Sequence, residues 1–230
     1  MLGCGLYKPH PSKHGLVTTI AWGYQGEITY ALEGSVFVAG SAVQWLRDQL
    51  KFFKTAKESE KLALSAKEEH ELIVVPAFVG LGAPYWDNDC KGAMFGITRG
   101  TSKEDMTKAT LDSIAYQNRD ILDAMKEDSG IAIQSLRVDG GASANDYLLQ
   151  FQSDIMQCAI ERPENVESTA LGAAYLAGLA VGYWTNIEEL KKERNSHIFI
   201  PTMKVSDVNE LYERWQKAVS CARMFTKNEE

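Results

Sequence analysis

The sequence predicts an α/β fold on three observations. Two β-rich runs, residues 16–22 and 27–33, flank a glycine-bounded turn near the start. Residues 135–182 alternate strand, helix, strand and helix patterns with short links, as parallel strands joined by a right-handed crossover do. The chain then closes on an amphipathic helix marked by Val208, Leu211, Trp215, Ala218 and Ala222.

Taken in order, residues 1–15 mix Gly, Pro, Lys and His without periodicity and are expected to form an irregular lead-in to one lobe over residues 16–230. Gly23-Tyr24-Gln25-Gly26 is expected to turn a hairpin between the two β-rich runs. Val36, Val43, Leu46 and Leu50 fall near helical spacing with Arg47 and Asp48 opposite, predicting a helix over 36–50. The charged segment 54–71, with Leu62, Leu64 and Ala66, suits a solvated helix, and 72–75 a short buried strand stopped by Pro76. Residues 76–100 carry prolines, glycines and aromatics in no period, which reads as a long structured loop, either functional or simply packed. Thr101-Ser-Lys-Glu104 has the form of a capping box opening a helix to about 127, with Met106, Ile114, Ile121, Leu122 and Met125 on one side. Strands at 135–139 and 158–161 alternate with helices reaching 156 and spanning 169–182. Residues 191–201, including His197 to Ile200, read as a connector.

Composition removes several function classes. Among 230 residues, 24 Lys and Arg stand against 31 Asp and Glu, and a net charge of -7 argues against a nucleic-acid partner. Cys4, Cys90, Cys158 and Cys221 lie far apart with no CxxC, and His10, His14, His70 and His197 pair with none of them at ligand spacing. No metal site or disulfide framework is therefore expected, and reduced thiols suit a cytoplasmic protein. The start shows no basic-then-apolar signal pattern, and the longest apolar run, 170–180, is too short for a membrane span.

The best local signal is Val138-Asp-Gly-Gly-Ala-Ser-Ala-Asn145. A strand end, two glycines and a helix start expose backbone N–H groups where a ligand can approach. Asn145 follows Gly141 by four residues, so on a helix its amide would lie over the same face, reading a flat group resting on the glycine. Gly40 and Gln44 repeat that spacing on another predicted helix. Two such pairs could grip opposite sides of one plane, such as an adenine base; tight turns and helix packing explain the same residues without a ligand. Glu161 stands at the ribose-binding distance from Gly141, yet Gly140-Gly141 is not G-x-G-x-x-G, so a dinucleotide site stays a weak alternative. Asp139 beside the glycines is catalytic, metal-binding or a residue that orders the turn. The run 169–182 is nearly all small or apolar and is expected to pack closely on a sheet or helix, with no chemistry of its own.

Five strings carry a resemblance: Ala31-Leu-Glu-Gly-Ser-Val-Phe-Val-Ala-Gly40, Gly80-Leu-Gly-Ala-Pro-Tyr-Trp-Asp87, Phe95-Gly-Ile-Thr-Arg-Gly100, Arg137-Val-Asp-Gly-Gly-Ala142 and Thr169-Ala-Leu-Gly-Ala-Ala-Tyr175. They resemble the FGGY carbohydrate kinases and, among these, the glycerol kinases. The resemblance implies an actin-like ATPase (ribonuclease H-like) lobe, a mixed sheet flanked by helices. It runs along nearly the whole chain but covers only the C-terminal half of the family's length. The N-terminal lobe of such kinases carries the glycerol site, the general-base aspartate, the magnesium-binding carboxylate and a phosphate-binding hairpin. No catalytic or metal-binding residue is therefore expected here, and the N-terminal lobe is itself an implied partner. ATP is implied as substrate and ADP as product, with Mg2+ accompanying the nucleotide and glycerol bound only by the complete enzyme. Gly40, Gln44, Gly141 and Asn145 match the family's nucleotide positions, whereas Asp139 matches one of structural or merely nearby role. Gly3-Cys4-Gly5 lacks the threonine of the family's phosphate turn, so no phosphate role passes to it. The implied function is the ATP-binding half of an ATP:glycerol phosphotransferase, inactive alone. The alternative is a non-catalytic nucleotide- or partner-binding lobe of a split or truncated protein. Assembly as a homo-oligomer stays open.

Overall fold

The computed structural model describes residues 2–3, 8–67, 71–164, 168–191 and 195–226. Strand β1 (Leu2–Gly3) pairs with β3 (Glu27–Glu33), which also pairs antiparallel with β2 (Val17–Tyr24). The lead-in thus contributes a short strand where none was expected; Cys4 and Gly5 of the Gly3-Cys4-Gly5 string lie outside the described residues. The hairpin loop is tighter than the four residues expected. Tyr24 pairs with Glu27, leaving Gln25 and Gly26 both at positive φ, 50° and 85°, the twist that matches right-handed strands.

Helix α1 (Gly40–Asp48) is shorter than the spacing predicted: residues 34–36 take no regular structure, 37–39 form a bend, and the chain turns out of the helix at Gln49. In the charged segment only α2 (Glu58–Leu64) is helical, and residues 68–70 lie outside the described residues. Strand β4 (Ile73–Val75) pairs antiparallel with β5 (Ala93–Phe95), a strand inside the passage expected to be irregular. The rest of that passage is a packed loop: Ala77, Leu81, Ala83 and Cys90 are buried, and Asp87 meets Arg223 Nε at 2.9 Å. The Arg223 guanidinium holds the Asp87 carboxyl below its usual range.

Helix α3 (Lys103–Ser129) is the spine of the molecule. Its capping box is shifted one residue from the expected Thr101/Glu104: Ser102 Oγ accepts from Asp105 N–H at 3.2 Å and Asp105 Oδ2 accepts from Ser102 N–H at 2.9 Å. Beyond it come β6 (Ser135–Arg137), α4 (Asp146–Met156), β7 (Ala159–Pro163) and α5 (Ser168–Ala180). β6 and β7 are parallel neighbours, as the alternating pattern requires. β8 (Ser196–Phe199) then adds antiparallel to β7, so residues read as a connector supply a strand and make this sheet mixed. Helix α6 (Val205–Thr226) closes the chain.

The described strands fall into three small sheets, of order β1-β3-β2, β4-β5 and β6-β7-β8. The main core lies between α3, α4, α6 and β7, where Leu111, Leu149, Ile155, Ile160 and Trp215 are essentially inaccessible. A smaller cluster of Leu16, Leu32, Ala83, Ile121, Ala124 and Met125 ties the hairpin to the end of α3. Asp128 anchors the lead-in there, its carboxylate accepting from Ser12 Oγ, from Lys13 N–H at 2.9 Å and bonding His14 Nδ1 at 2.7 Å.

The close packing expected of residues 169–182 is not found. No residue of α5 is buried, and Leu176 and Val181 are exposed. A helix this apolar all round is ordinarily buried, so α5 leaves apolar surface uncovered among the described residues. What packs on it is local: Tyr183 N–H donates to Gly178 O at 2.8 Å and brings the Trp184 ring over Gly178, where a Cβ would come within 2.2 Å.

Candidate functional site

The N-terminal turns of α1 and α4 face one another across a cavity of about 630 Å³. Gly40 and Gln44 of α1 line it from one side, and Gly141 and Asn145 from the other. All four sequence-predicted residues therefore meet in one cavity. A Cβ on Gly40 or on Gly141 would meet nothing within 4 Å, so both glycines open onto free space.

The local geometry of the second pair differs from expectation. Gly140 takes φ +81°, and Gly141–Ala144 forms a turn of 3-10 helix, so Gly141 and Asn145 do not share one α-helical face. Asn145 has extended backbone and is the N-cap of α4. Its Oδ1 accepts from Leu148 N–H at 2.9 Å, and its Nδ2 donates to Ser59 Oγ at 3.3 Å. Asn is among the strongest N-cap residues because its side chain satisfies an orphan N–H of the first turn, and that preference overrides helical continuity here. One Nδ2 N–H remains for another acceptor. Gln44 is exposed. Asp139 is exposed in the turn and does not line the cavity, while Glu161 accepts from Arg137 Nε at 3.2 Å.

Sequence reasoning missed the third wall. Ser59, Glu60 and Lys57, with Ala56 just before α2, complete the cavity. The signal was the small face Ala56, Ser59 and Ala63 within a charged segment, where Ser59 and Ala63 are buried and Ser59 Oγ donates to Ala56 O at 2.6 Å. Arg47, on the α1 side, forms a two-pronged pair with Asp48 at 2.7 and 2.8 Å and holds that carboxyl below its usual range. The floor is apolar, from Leu111 and Ile114 of α3 and Leu148 of α4. Size, apolar floor and a few polar groups at the rim are the ordinary features of a small-ligand cavity.

Comparison with known proteins gives this cavity its context. Residues 3–181 match the FGGY family of carbohydrate kinases, C-terminal domain. The chain is 58% identical over 219 residues to glycerol kinase of Pediococcus pentosaceus, covering 95% of this chain and 44% of that protein. It is 60% identical over 215 residues to glycerol kinase of Halalkalibacterium halodurans, covering 93% and 43%. Among solved structures, Plasmodium falciparum glycerol kinase with ADP superposes with a TM-score of 0.86 at 34% identity, over 99% of this chain and 45% of that one. Gluconate kinase from Lactobacillus acidophilus shares the fold, with a TM-score of 0.80 at 21% identity. The chain thus spans less than half the length of the relatives it matches. It belongs to the FGGY family of carbohydrate kinases and carries that family's C-terminal domain.

Proposed function

We propose that this chain is the nucleotide-binding lobe of an ATP:glycerol phosphotransferase, which converts glycerol and ATP into glycerol 3-phosphate and ADP. The observation that carries the reading is the meeting of Gly40, Gln44, Gly141 and Asn145 around one cavity with an apolar floor. The relatives at 58% and 60% identity are glycerol kinases, and the Plasmodium enzyme was solved with ADP.

In this reading the two glycines leave room for the adenine plane to rest on backbone. The free Nδ2 N–H of Asn145 and the amide of Gln44 meet the edges of the ring. Leu111, Ile114 and Leu148 exclude water beneath it, and Lys57 offers a cation toward the phosphates. Mg2+ accompanies ATP in phosphoryl transfer and neutralises charge on its phosphates. Glu60 is the one acid among the described residues lining the cavity, which does not amount to a magnesium cage. No step is therefore assigned to the metal here. The base that takes the glycerol proton belongs to the other lobe of the enzyme, and phosphoryl transfer depends chiefly on positioning and charge stabilisation. Free Cys90 and Cys158, both buried, fit a reducing cytoplasm.

Equilibrium titration tests the reading. The chain should bind ATP and ADP in preference to NAD and show no glycerol-dependent ATP turnover alone. Turnover should appear when the N-terminal half of a close relative is added in equal amount. Preference for NAD, or turnover without the second half, would overturn it.

A further inference from the structure

Helix α3 separates two cavities. Leu111 and Ile114 face the one described above, whereas Lys108, Asp112 and Tyr116, successive at i, i+4 and i+8, line a second of about 360 Å³. Its remaining walls include Tyr147 and Phe151 of α4 and Arg214 of α6.

The acids in this wall are already engaged. Asp112 Oδ2 accepts from Lys108 Nζ at 2.8 Å and its Oδ1 from the Tyr147 hydroxyl at 2.5 Å. Asp154 Oδ1 accepts from the N–H groups of Thr202 and Met203 at 2.5 and 3.0 Å. Donors, by contrast, are in surplus. Lys108 uses one N–H on Asp112, and Arg214 uses one on Glu71 O at 2.9 Å, leaving the rest of both cations without a protein acceptor among the described residues. Tyr116 is only 5% exposed, its ring edge-on to Phe151 and stacked on Trp215. Its hydroxyl lacks any hydrogen-bond partner among the described residues, which is rare for a buried polar group. A single water, whose share of liquid volume is about 30 Å³, would not fill the space.

We infer that this second cavity binds a small organic anion: a compact apolar body carrying one carboxylate or phosphate group. The oxyanion takes the surplus donors of Lys108, Arg214 and Tyr116, and charge-assisted bonds of this kind are the strong ones. The apolar body lies against Phe151 and Tyr147. The two rings are stacked with centroids 6.3 Å apart, and Lys108 Nζ stands 5.8 and 5.5 Å from the Tyr147 and Phe151 centroids.

The full chain titrated with benzoate, phenyl phosphate, inorganic phosphate and benzyl alcohol tests this, read by melting temperature and by the ring signals of Tyr116 and Tyr147. Benzoate or phenyl phosphate should bind, and the stronger of the two names the head group. Inorganic phosphate and benzyl alcohol, each lacking one half of the recognition, should need about tenfold more. Arg214→Gln should weaken the bound anion about tenfold. Tyr116→Phe should leave the ligand-free melting temperature undiminished, because it deletes an unpartnered hydroxyl, and still weaken the anion. Gly141→Trp should leave this response unchanged, which separates it from the nucleotide cavity. The inference is overturned if neither aromatic anion binds at about 10 mM, a weak-fragment affinity. It is also overturned if inorganic phosphate alone matches phenyl phosphate, or if Arg214→Gln and Tyr116→Phe both bind as the wild type does.

Discussion

Asp120 is a carboxylate inside the core, accepting from Tyr212 Oη at 2.6 Å and Trp215 Nε1 at 2.9 Å. Burial raises its pKa, the hydrogen bonds partly oppose this, and the result is about 6. Because the folded value lies above the unfolded one of about 4, the folded state binds the proton more tightly. Stability therefore falls as pH rises from about 4 to about 6, by about 3 kcal/mol. In Asp120→Asn that slope should vanish in urea titrations run across the window, with the new amide donating to the Tyr212 oxygen. An unchanged slope would mean another group supplies it. Asp128 acts in the opposite sense at lower pH. Burial pushes its carboxyl up, but bonds from Ser12, Lys13 and His14 outweigh this and leave it at about 2. Its contribution is present above about pH 4 and is lost as pH falls toward 2. Asn145 shows what spacing alone conceals. The residue was legible as part of the candidate site, yet its role as N-cap depends on its own extended backbone, which separates the 3-10 turn Gly141–Ala144 from α4. Asn145→Ala should cost about 1 kcal/mol in chemical denaturation, and Asn145→Asp should recover most of it.

Elements with a strong period were legible and those held by tertiary contact were not. Helix α3 announces itself by its length, its cap and its apolar stripe, and it lies within a residue or two of expectation. β8 does not, because its burial pattern exposes Ser196, His197 and Ile198 and hides only Phe199, and what makes it a strand is the open edge of β7. α5 was legible as a helix, but its surroundings were not. Small apolar residues suit close packing, yet none of them is buried. Amide exchange should reflect this, since local opening is easiest where few apolar contacts are lost. The amides of Ser168–Ala180 should exchange well before those of the middle of α3, near Ala115 and Tyr116. Equal protection would show that α5 is covered in solution.

Across the whole molecule, one helix organises two cavities. α3 turns Leu111 and Ile114 to one side and Lys108, Asp112 and Tyr116 to the other, so its two polar–apolar registers each serve a different wall. The four residues of the candidate nucleotide site were legible because two glycine–amide pairs recur at one spacing. The α2 wall was not, because Lys57 and Glu60 read as part of an ordinary solvated surface until the fold sets Ser59 beneath Asn145. The strands, expected as one mixed sheet, divide into three small ones among the described residues, a feature no local pattern encodes. The central claim is that the cavity between α1 and α4 holds an adenine nucleotide, and a thermal shift with MgATP tests it most directly. For a dissociation constant around 1 mM, about 10 mM ligand should stabilise by about 1.4 kcal/mol, or roughly 3–6 °C in a domain of this size. Gly141→Trp places an indole where a Cβ meets nothing within 4 Å, so it should fold normally and lose the shift. A shift of the same size in wild type and Gly141→Trp would contradict the account, as would no shift in either.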